Sequence, residues 1–347
     1  MSLNIRKLLL AAAALTLSCL TLAAQGKFRD VAGGSGHAVI LKTDGSVWTI
    51  GKGFSGQLGE GTTNAIKTIP VKVLDDAVKV AAGQYNSFAI KADGELWVWG
   101  DNTFGQFYPF TESDVIRPVK LRDNVKDVSA NYTNLMVLLN DGTLWASGEN
   151  FHGLHGNGTT ATQVKGSTKV MSNVRQVSCG SNHVMAVTNT DELWVWGNNE
   201  YGQLGLETKS NKPVTRPVKI ATGVKAVSAG FCNSLILLND GSLWACGYNK
   251  YGQLGDSTTT DRTAPVKVLD NVRDISAGSF SSLAVLNNGT LMGWGKNKEG
   301  QLGSENTNDL LWPVKVYEGV QKAVNADTFS VFILQNNELM LTGKVVP

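Results

Sequence analysis

A segment of about twenty residues recurs seven times along this chain of 347 residues, and the recurrence constrains the fold more than any other feature. The copies begin near residues 31, 80, 128, 177, 227, 275 and 324. Their spacing stays close to 48 to 50 residues, which leaves no room for an inserted domain. So regular a period predicts one continuous repeat architecture.

Each copy shows the apolar alternation of β-strands, with a period of two residues and no sustained helical period. In the fifth copy, strand formers at 234–238 and 243–246 are joined by Asn-Asp-Gly-Ser, and Asp-Gly supplies the positive φ that a tight hairpin turn requires. A fourth strand opens with proline, in PVKV or a close variant, at Pro70, Pro118, Pro217, Pro265 and Pro313. The sequence therefore predicts an all-β fold, a seven-bladed β-propeller of four-stranded antiparallel blades.

A second signature lies between the third and fourth strands of four copies, and degenerate forms of it occur from Gly100 and Gly148. It reads GKGFSGQLG from Gly51, GNNEYGQLG from Gly197, GYNKYGQLG from Gly247 and GKNKEGQLG from Gly295. Together with the alanine-glycine and LWxWG strands, it makes residues 27–343 resemble the regulator-of-chromosome-condensation repeat family, including its secreted bacterial members. The resemblance implies one seven-bladed propeller domain over residues 25–347.

The seventh copy ends after its third strand, at Gly343, and lacks both the Gly-Gln-Leu-Gly turn and the PVKV strand. We therefore expect the last blade to be incomplete. A thin blade, an unusual ring closure and a truncated chain are three interpretations that the sequence leaves open.

Residues 1–24 have the pattern of a secretory signal peptide. Arg6 and Lys7 precede an apolar run to Leu22, and small residues precede Gln25. Two alternatives are a membrane anchor, for which the run is marginally short, and a lipid anchor at Cys19. The predicted location is outside the cell, in the periplasm or at the cell envelope, with no membrane span in the mature chain.

Removal of this segment takes away two positive charges from a net charge of +2, so the predicted mature chain is neutral. A neutral chain lacks the excess positive charge that attracts nucleic acids and anionic lipids. Nucleic acid is therefore not an expected partner, and we expect a monomer.

The residues that carry chemistry do not form a catalytic or metal-binding pattern. His37 and His183 share one repeat position, which indicates hydrogen bonding near a turn, and His152 and His155 lack the further ligands that a metal site needs. The mature cysteines, at positions 179, 232 and 246, are interpreted as small buried side chains, and the strand register disfavours a disulfide between the last two. No catalytic residue, metal or cofactor is predicted.

Tryptophan is concentrated in the third strand of the repeat. Eight of the nine tryptophans lie there, at 48, 97, 99, 145, 194, 196, 244 and 294. Such a ring could stack on carbohydrate. Because Trp97 and Trp99 lie on the same face of their strand, packing between blades is the favoured interpretation.

Aromatic residues in the loops are the best candidates for a binding site. The short loop between the first and second strands is predicted to hold Tyr85, Tyr132, Phe231, Phe280 and Phe329, and the long loop of blade two adds Tyr108 and Phe110. Antiparallel strand order brings the short and long loops to the same end of the ring. Aromatic side chains anchor protein interfaces, although packing of these rings on neighbouring loops is an equal alternative.

From these observations we expect an exported, non-enzymatic propeller that binds a protein or cell-surface ligand through its long-loop face. The alternative is a carbohydrate-binding or hydrolytic secreted propeller. The family also includes a guanine nucleotide exchange factor. That activity is the least expected, because the chain has a signal peptide and no basic arm.

Overall fold

The computed structural model describes residues 26–161 and 166–344, so the predicted signal peptide and Cys19 lie outside the described residues. The described chain forms seven antiparallel sheets arranged as a closed ring, and the predicted all-β, seven-bladed propeller is confirmed. Each sheet is one blade with its strands in chain order, and the first strands line the central channel. The described residues include no helix that could span a membrane.

The first four blades each have four strands. Blades one and two contain β1 (Phe28–Gly33), β2 (His37–Lys42), β3 (Val47–Gly53), β4 (Ala65–Leu74), β5 (Ala77–Ala82), β6 (Asn86–Lys91), β7 (Leu96–Asp101) and β8 (Asp114–Arg122). Blades three and four contain β9 (Val125–Ala130), β10 (Asn134–Leu139), β11 (Leu144–Gly148), β12 (Thr168–Met171), β13 (Val174–Cys179), β14 (His183–Thr188), β15 (Leu193–Asn199) and β16 (Ser210–Ala221).

Blades five and six repeat this plan, and blade seven is shorter. Blades five and six contain β17 (Val224–Ala229), β18 (Asn233–Leu238), β19 (Leu243–Gly247), β20 (Arg262–Leu269), β21 (Val272–Ala277), β22 (Ser281–Leu286), β23 (Leu291–Gly295) and β24 (Leu310–Tyr317). Blade seven contains β25 (Val320–Asn325), β26 (Phe329–Leu334) and β27 (Leu339–Gly343). Its sheet has three strands among the described residues, which confirms the expected incomplete last blade.

The hairpin turn between the second and third strands shows how the Asp-Gly pair acts. Of the Asp-Gly pair in the blade-five turn, only Gly241 has a positive φ, of 82°, whereas Asp240 contributes its side-chain carboxylate. Asp240 Oδ1 accepts hydrogen bonds from the Ser242 backbone N–H at 2.8 Å and from the Ser242 hydroxyl at 2.6 Å. The aspartate thus stabilises the turn through its side chain, and only the glycine needs the left-handed conformation.

A turn with the Gly-Gln-Leu-Gly signature, or with its variants Gly-Gln-Phe-Tyr in blade two and Gly-Leu-His-Gly in blade three, joins each of blades one to six to the next, and we call it the blade-joining turn. The Gln57 carbonyl of blade one accepts hydrogen bonds from Ser87 Oγ at 2.8 Å and from Trp99 Nε1 at 2.9 Å, both in blade two. Gly59 ends this turn against the indole, where a Cβ would lie 2.9 Å from Trp99 Cδ1. Equivalent bonds at the later interfaces run from Ser147 to the Gln106 carbonyl, Trp196 to Leu154, Ser234 to Gln203, Trp294 to Gln253 and Thr342 to Gln301.

Tryptophans of the third strand pack between blades, as predicted. Trp99, Trp196 and Trp294 are fully buried and are the largest side chains of the core. Trp97, two residues before Trp99 on the same strand, is half-buried and donates its indole N–H to Glu95 Oε2 at 3.0 Å. The ninth tryptophan, Trp312, is different, because it stands 56% exposed on the outermost strand of blade six.

The interface between blades seven and one, which we call the seam, has no blade-joining turn among the residues that the structure describes. Ala38 and Ile50 of blade one stand where blade two has Ser87 and Trp99. No Gly-Gln-Leu-Gly turn of the described part of the chain supplies a carbonyl to them. Both side chains are buried in an apolar cluster that spans the two blades.

Polar contacts complete the seam. Lys322 of blade seven forms an ion pair with Asp30 of blade one. The Phe28 backbone N–H donates to the Asn337 carbonyl at 2.9 Å. Among the described residues, blade seven therefore closes the ring by direct packing on blade one.

Candidate recognition surface

Short loops and long loops meet at one end of the ring. The short loops join the first and second strands of each blade, and the long loops follow the third strands. Tyr132 of a short loop and Phe104 of a long loop are in contact, with ring centroids 5.2 Å apart. Hence side chains of both loop types contribute to one surface, which we call the loop face.

Three rings of blades two and three form a first aromatic cluster, defined as Tyr85, Phe104 and Tyr132. Tyr85 and Tyr132 meet edge to face with centroids 5.4 Å apart. Tyr132 is 37% exposed, so the cluster remains open to solvent. Beside it lies a cavity of about 280 Å³, and both Lys52 and Asp101 line this cavity.

Five rings of blades four to six form a second aromatic cluster, defined as Tyr201, Phe231, Tyr248, Tyr251 and Phe280. The centroid distances are 4.9 Å for Tyr201–Tyr248, 5.3 Å for Phe231–Phe280, 6.3 Å for Tyr248–Phe280 and 5.3 Å for Tyr251–Phe280. Phe231 is 38% exposed at the edge of this group. Edge-to-face contacts of this kind favour a defined arrangement over a mobile one.

Charged groups surround the second aromatic cluster unevenly. The Lys296 ammonium lies 5.4 Å from the Phe280 centroid and 5.7 Å from the Tyr251 centroid, within the range of cation–π attraction. On the opposite side, Glu200 is the main cause of a raised pKa at Tyr201. The positive charge therefore lies toward blade six and the negative charge toward blade four.

The structure brings four of the seven predicted site residues into these clusters. Tyr85 and Tyr132 lie in the first, and Phe231 and Phe280 lie in the second. Phe110 instead packs against the core between blades one, two and three. Tyr108 is 55% exposed, but it makes no ring contact with either cluster among the described residues.

The prediction of a short-loop position for Phe329 was wrong. Phe329 is the first residue of β26 and is completely buried. The prediction failed because it aligned the seventh repeat one residue out of register. It occupies the slot of Asn86 in blade two and His183 in blade four. Its ring packs in the apolar cluster of the seam, so Phe329 has a structural role there.

Sequence reasoning missed the aromatic residues of the long loops. Phe104, Tyr201 and Tyr251 each directly precede the glycine of a blade-joining turn, and Tyr248 follows the first glycine of its loop. The recurrence of aromatic residues at these positions of the GxNxxGQLG motif could have identified them as candidates. Their contacts with the short-loop aromatic side chains of adjacent blades depend on the geometry of the closed propeller.

The histidines have the predicted structural role. His37 Nε2 lies 2.9 Å from Ser87 Oγ, which donates its own proton to the Gln57 carbonyl, so the imidazole is the donor in this pair. His183 makes the same contact with Ser234 at 2.9 Å. Burial lowers the pKa of both histidines to about 4, so they are neutral at physiological pH.

No reactive centre is found among the residues that the structure describes. The cysteines at 179, 232 and 246 are free thiols, and burial raises the pKa of each to about 12. Residues 26–161 and 166–344 contain no group of histidine, cysteine and carboxylate side chains that could hold a metal ion.

Comparison with known families identifies the repeat. The model of the RCC1-like domain matches residues 127–345, which is more than half of the chain. The chain belongs to the RCC1-like domain family. The model of the regulator of chromosome condensation (RCC1) repeat matches residues 28–57 and 77–106, and a second RCC1-repeat model matches residues 44–90. These RCC1-type matches confirm the resemblance inferred from the repeat.

Curated relatives are similar over a small part of their length. Human alsin is 38% identical over 76 residues, which is 21% of this chain and 5% of alsin. A bifunctional serine/threonine-protein kinase/NEDD4-like E3 ubiquitin-protein ligase of Dictyostelium discoideum is 31% identical over 94 residues, which is 23% of this chain and 5% of that protein. The matched segments thus span about one twentieth of these relatives.

Solved structures share the RCC1-like fold over most of the chain. Prp20p from Saccharomyces cerevisiae superimposes with a TM-score of 0.77 at 23% identity, over 87% of this chain and 81% of that one. Human WBSCR16 superimposes with a TM-score of 0.78 at 22% identity, over 92% and 86% of the two chains. Identities this low establish the fold alone.

Proposed function

We propose that this protein is an exported, non-enzymatic β-propeller that acts as a monomer and binds a protein or cell-surface ligand through its loop face. The observation that carries the proposal is the gathering of aromatic rings from short and long loops into two clusters at one end of the ring. Partly exposed aromatic clusters of this kind supply hot spots of protein interfaces.

The physical basis of binding would be burial of these rings. The mature chain is neutral under the proposed cleavage, so long-range charge attraction contributes little to association. Affinity would come from desolvation of the two clusters, with the polar loop residues as a rim.

A related propeller offers a precedent for protein binding. Prp20p, which shares the fold, has been studied for its binding to Gsp1p and histones. A role in binding also agrees with the buried, neutral histidines and the inert thiols of this chain. Nucleic acid is not among the proposed ligands, because the mature chain has no excess positive charge.

The test compares capture of a partner by matched variants. Wild type, the double variant Tyr132→Ala/Phe231→Ala and the control Trp312→Ala are immobilised and exposed to the extracellular fraction of the source organism. Trp312 is an exposed aromatic residue on the outermost strand of blade six, away from both clusters. One protein should be retained by wild type and by the control, and its Kd for the double variant should rise by about 30-fold or more.

Two outcomes would contradict the proposal. Equal retention by the double variant would move the interface away from the loop face. A melting temperature far below that of Trp312→Ala would show that the rings stabilise the fold instead.

Export has its own test. N-terminal sequencing of the protein secreted by its source organism should begin close to Gln25. A start far from residues 23–26 would contradict cleavage there, and a lipid on Cys19 would replace secretion with anchoring at the envelope.

A further inference from the structure

We infer that the second aromatic cluster binds an acidic segment of a partner protein, in which carboxylates flank an apolar side chain. This inference rests on the proposed function and specifies the chemistry of its partner. The observation behind it is the combination of five clustered rings with two lysines that have no carboxylate partner among the described residues.

The lysines lie beside Tyr251 and Phe280, Lys250 in the long loop of blade five and Lys296 in that of blade six. The Lys296 ammonium lies 5.4 Å from the Phe280 centroid, and the Lys250 ammonium lies 6.0 Å from the Tyr251 centroid. Neither ammonium pairs with a carboxylate in the part of the chain that the structure describes. Each is held beside a ring, so a carboxylate of a bound segment could pair with it without breaking an ion pair of this chain.

Nearby carboxylates leave these lysines available. Asp261 accepts the Lys209 ammonium at 2.8 Å and the Asn249 backbone N–H at 3.0 Å, so its charge is already balanced. Glu200 lies on the blade-four side, where it raises the pKa of Tyr201. Neither Asp261 nor Glu200 forms an ion pair with Lys250 or Lys296 among the described residues.

Ring geometry favours an apolar side chain over a sugar or a nucleobase. Tyr201 and Tyr248 meet at 67°, and Tyr251 and Phe280 meet at 60°. Lys296 covers the faces of the latter two rings. Stacking ligands need a free ring face, whereas an apolar side chain can insert among ring edges.

The first aromatic cluster lacks this selectivity. Both Lys52 and Asp101 line its neighbouring cavity, so it presents both signs of charge. The preference for an acidic segment is therefore assigned to the second cluster alone.

The experiment uses a display library of random dodecapeptides, selected against the full mature chain and, in parallel, against Phe280→Ala. Peptides enriched on wild type over Phe280→Ala should place Asp or Glu within two residues of Phe, Trp or Leu. A synthetic peptide of the enriched sequence should bind about tenfold more weakly to Lys296→Glu and to Lys250→Glu, and more weakly as NaCl is raised.

Lys298→Glu is the matched control. Lys298 lies in the same long loop as Lys296 and is exposed, and it makes no cation–π contact among the described residues. Its variant should keep at least half of the wild-type affinity, and all variants should melt within a few degrees of wild type.

Three results would overturn the inference: no enrichment over Phe280→Ala, enrichment of peptides without acidic residues, or equal weakening by Lys298→Glu. Tighter binding of a twelve-nucleotide single-stranded thymidine oligomer than of the peptide would overturn it as well. If the charge reversals have no effect while Tyr132→Ala/Phe231→Ala still loses the captured partner, this inference fails and the proposed function stands.

Discussion

Six interfaces of this propeller are built one way, and the seam is built another. At the regular interfaces, a backbone carbonyl of the blade-joining turn accepts hydrogen bonds from a hydroxyl or an indole N–H of the next blade, as Gln57 does from Ser87 and Trp99. At the seam, Ala38 and Ile50 fill those positions and pack on Phe329. Each interface is internally consistent, since the donors are absent where the acceptor is absent.

The contrast shows how a repeat protein adapts one interface without changing the backbone. A buried indole without an acceptor would carry an unsatisfied N–H, which costs free energy. Replacing donor and acceptor together by apolar groups avoids this cost. The seam has made that exchange but keeps a channel-side ion pair, Lys322 with Asp30, which Lys79 and Asp127 also form between blades two and three.

The largest effect is expected at a regular interface. Trp196→Ala removes a fully buried indole and its 2.7 Å hydrogen bond to the Leu154 carbonyl, and should lower the free energy of unfolding by about 3–5 kcal/mol. Trp196→Phe should lose about 1 kcal/mol from the hydrogen bond in addition to a small packing loss. Chemical denaturation measures both, and the half-buried Trp194→Ala is the control. A loss below about 1 kcal/mol in Trp196→Ala would refute inter-blade packing.

A slightly smaller effect is expected at the seam. Phe329→Ala leaves a cavity between blades seven and one and should lower the free energy of unfolding by about 3 kcal/mol. Phe329→Asn, which inserts the residue of blade two, should be at least as destabilising, because its amide would lie among apolar groups. Stability of Phe329→Asn equal to wild type would mean that the seam tolerates the regular arrangement.

Acid should weaken the regular interfaces through their histidines. Burial lowers the folded-state pKa of His183 from 6.5 to about 4, so the folded chain binds fewer protons than the unfolded chain between these pH values. Stability conferred by the neutral histidine is therefore present above pH 6.5 and is lost as pH falls toward 4, by up to about 1.4 kcal/mol per pH unit. His183→Asn, the residue of blades two and five at this slot, should have a flatter profile between pH 7 and 5. An unchanged slope, measured by denaturation at each pH, would contradict the burial of this imidazole.

The smallest difference separates two glycines with similar backbones. Gly59 has φ +70° and faces Trp99, whereas Gly319 has φ +68° and opens onto free space, with no described atom within 4 Å of the point that a Cβ would occupy. Both alanine variants bear the cost of a left-handed residue, about 1 kcal/mol. Gly59→Ala should lose about 1 kcal/mol more, because its methyl group meets the indole at 2.9 Å. Equal melting temperatures for the two variants would show that the turn can move away from the indole.

Much of this fold could be predicted because the repeat restates it seven times. The Asp-Gly turns indicate the hairpin between the second and third strands, and PVKV indicates the fourth strand that ends a blade, wherever they occur. The position of Phe329 was predicted wrongly because the given seventh repeat has neither the Gly-Gln-Leu-Gly turn nor the PVKV strand. The register of this repeat therefore depended on a few weakly similar residues. Of the surface, single rings such as Tyr132 and Phe280 were predictable, but their neighbours Phe104 and Tyr251 come from other loops and meet them only in the closed ring.

The blade-joining turn also gives the ring a direction of assembly. At each regular interface the acceptor belongs to the earlier blade and the donor to the later one, with partners such as Trp99 and Gln57 only 42 residues apart in sequence. Those six regular interfaces can form one after another as the chain emerges from the ribosome. The seam pairs Lys322 with Asp30 across 292 residues, so its loop-closure entropy is much reduced once the preceding blades have docked. Ring closure is then the last and most non-local step of folding, and it depends on the one interface that has no blade-joining turn among the described residues.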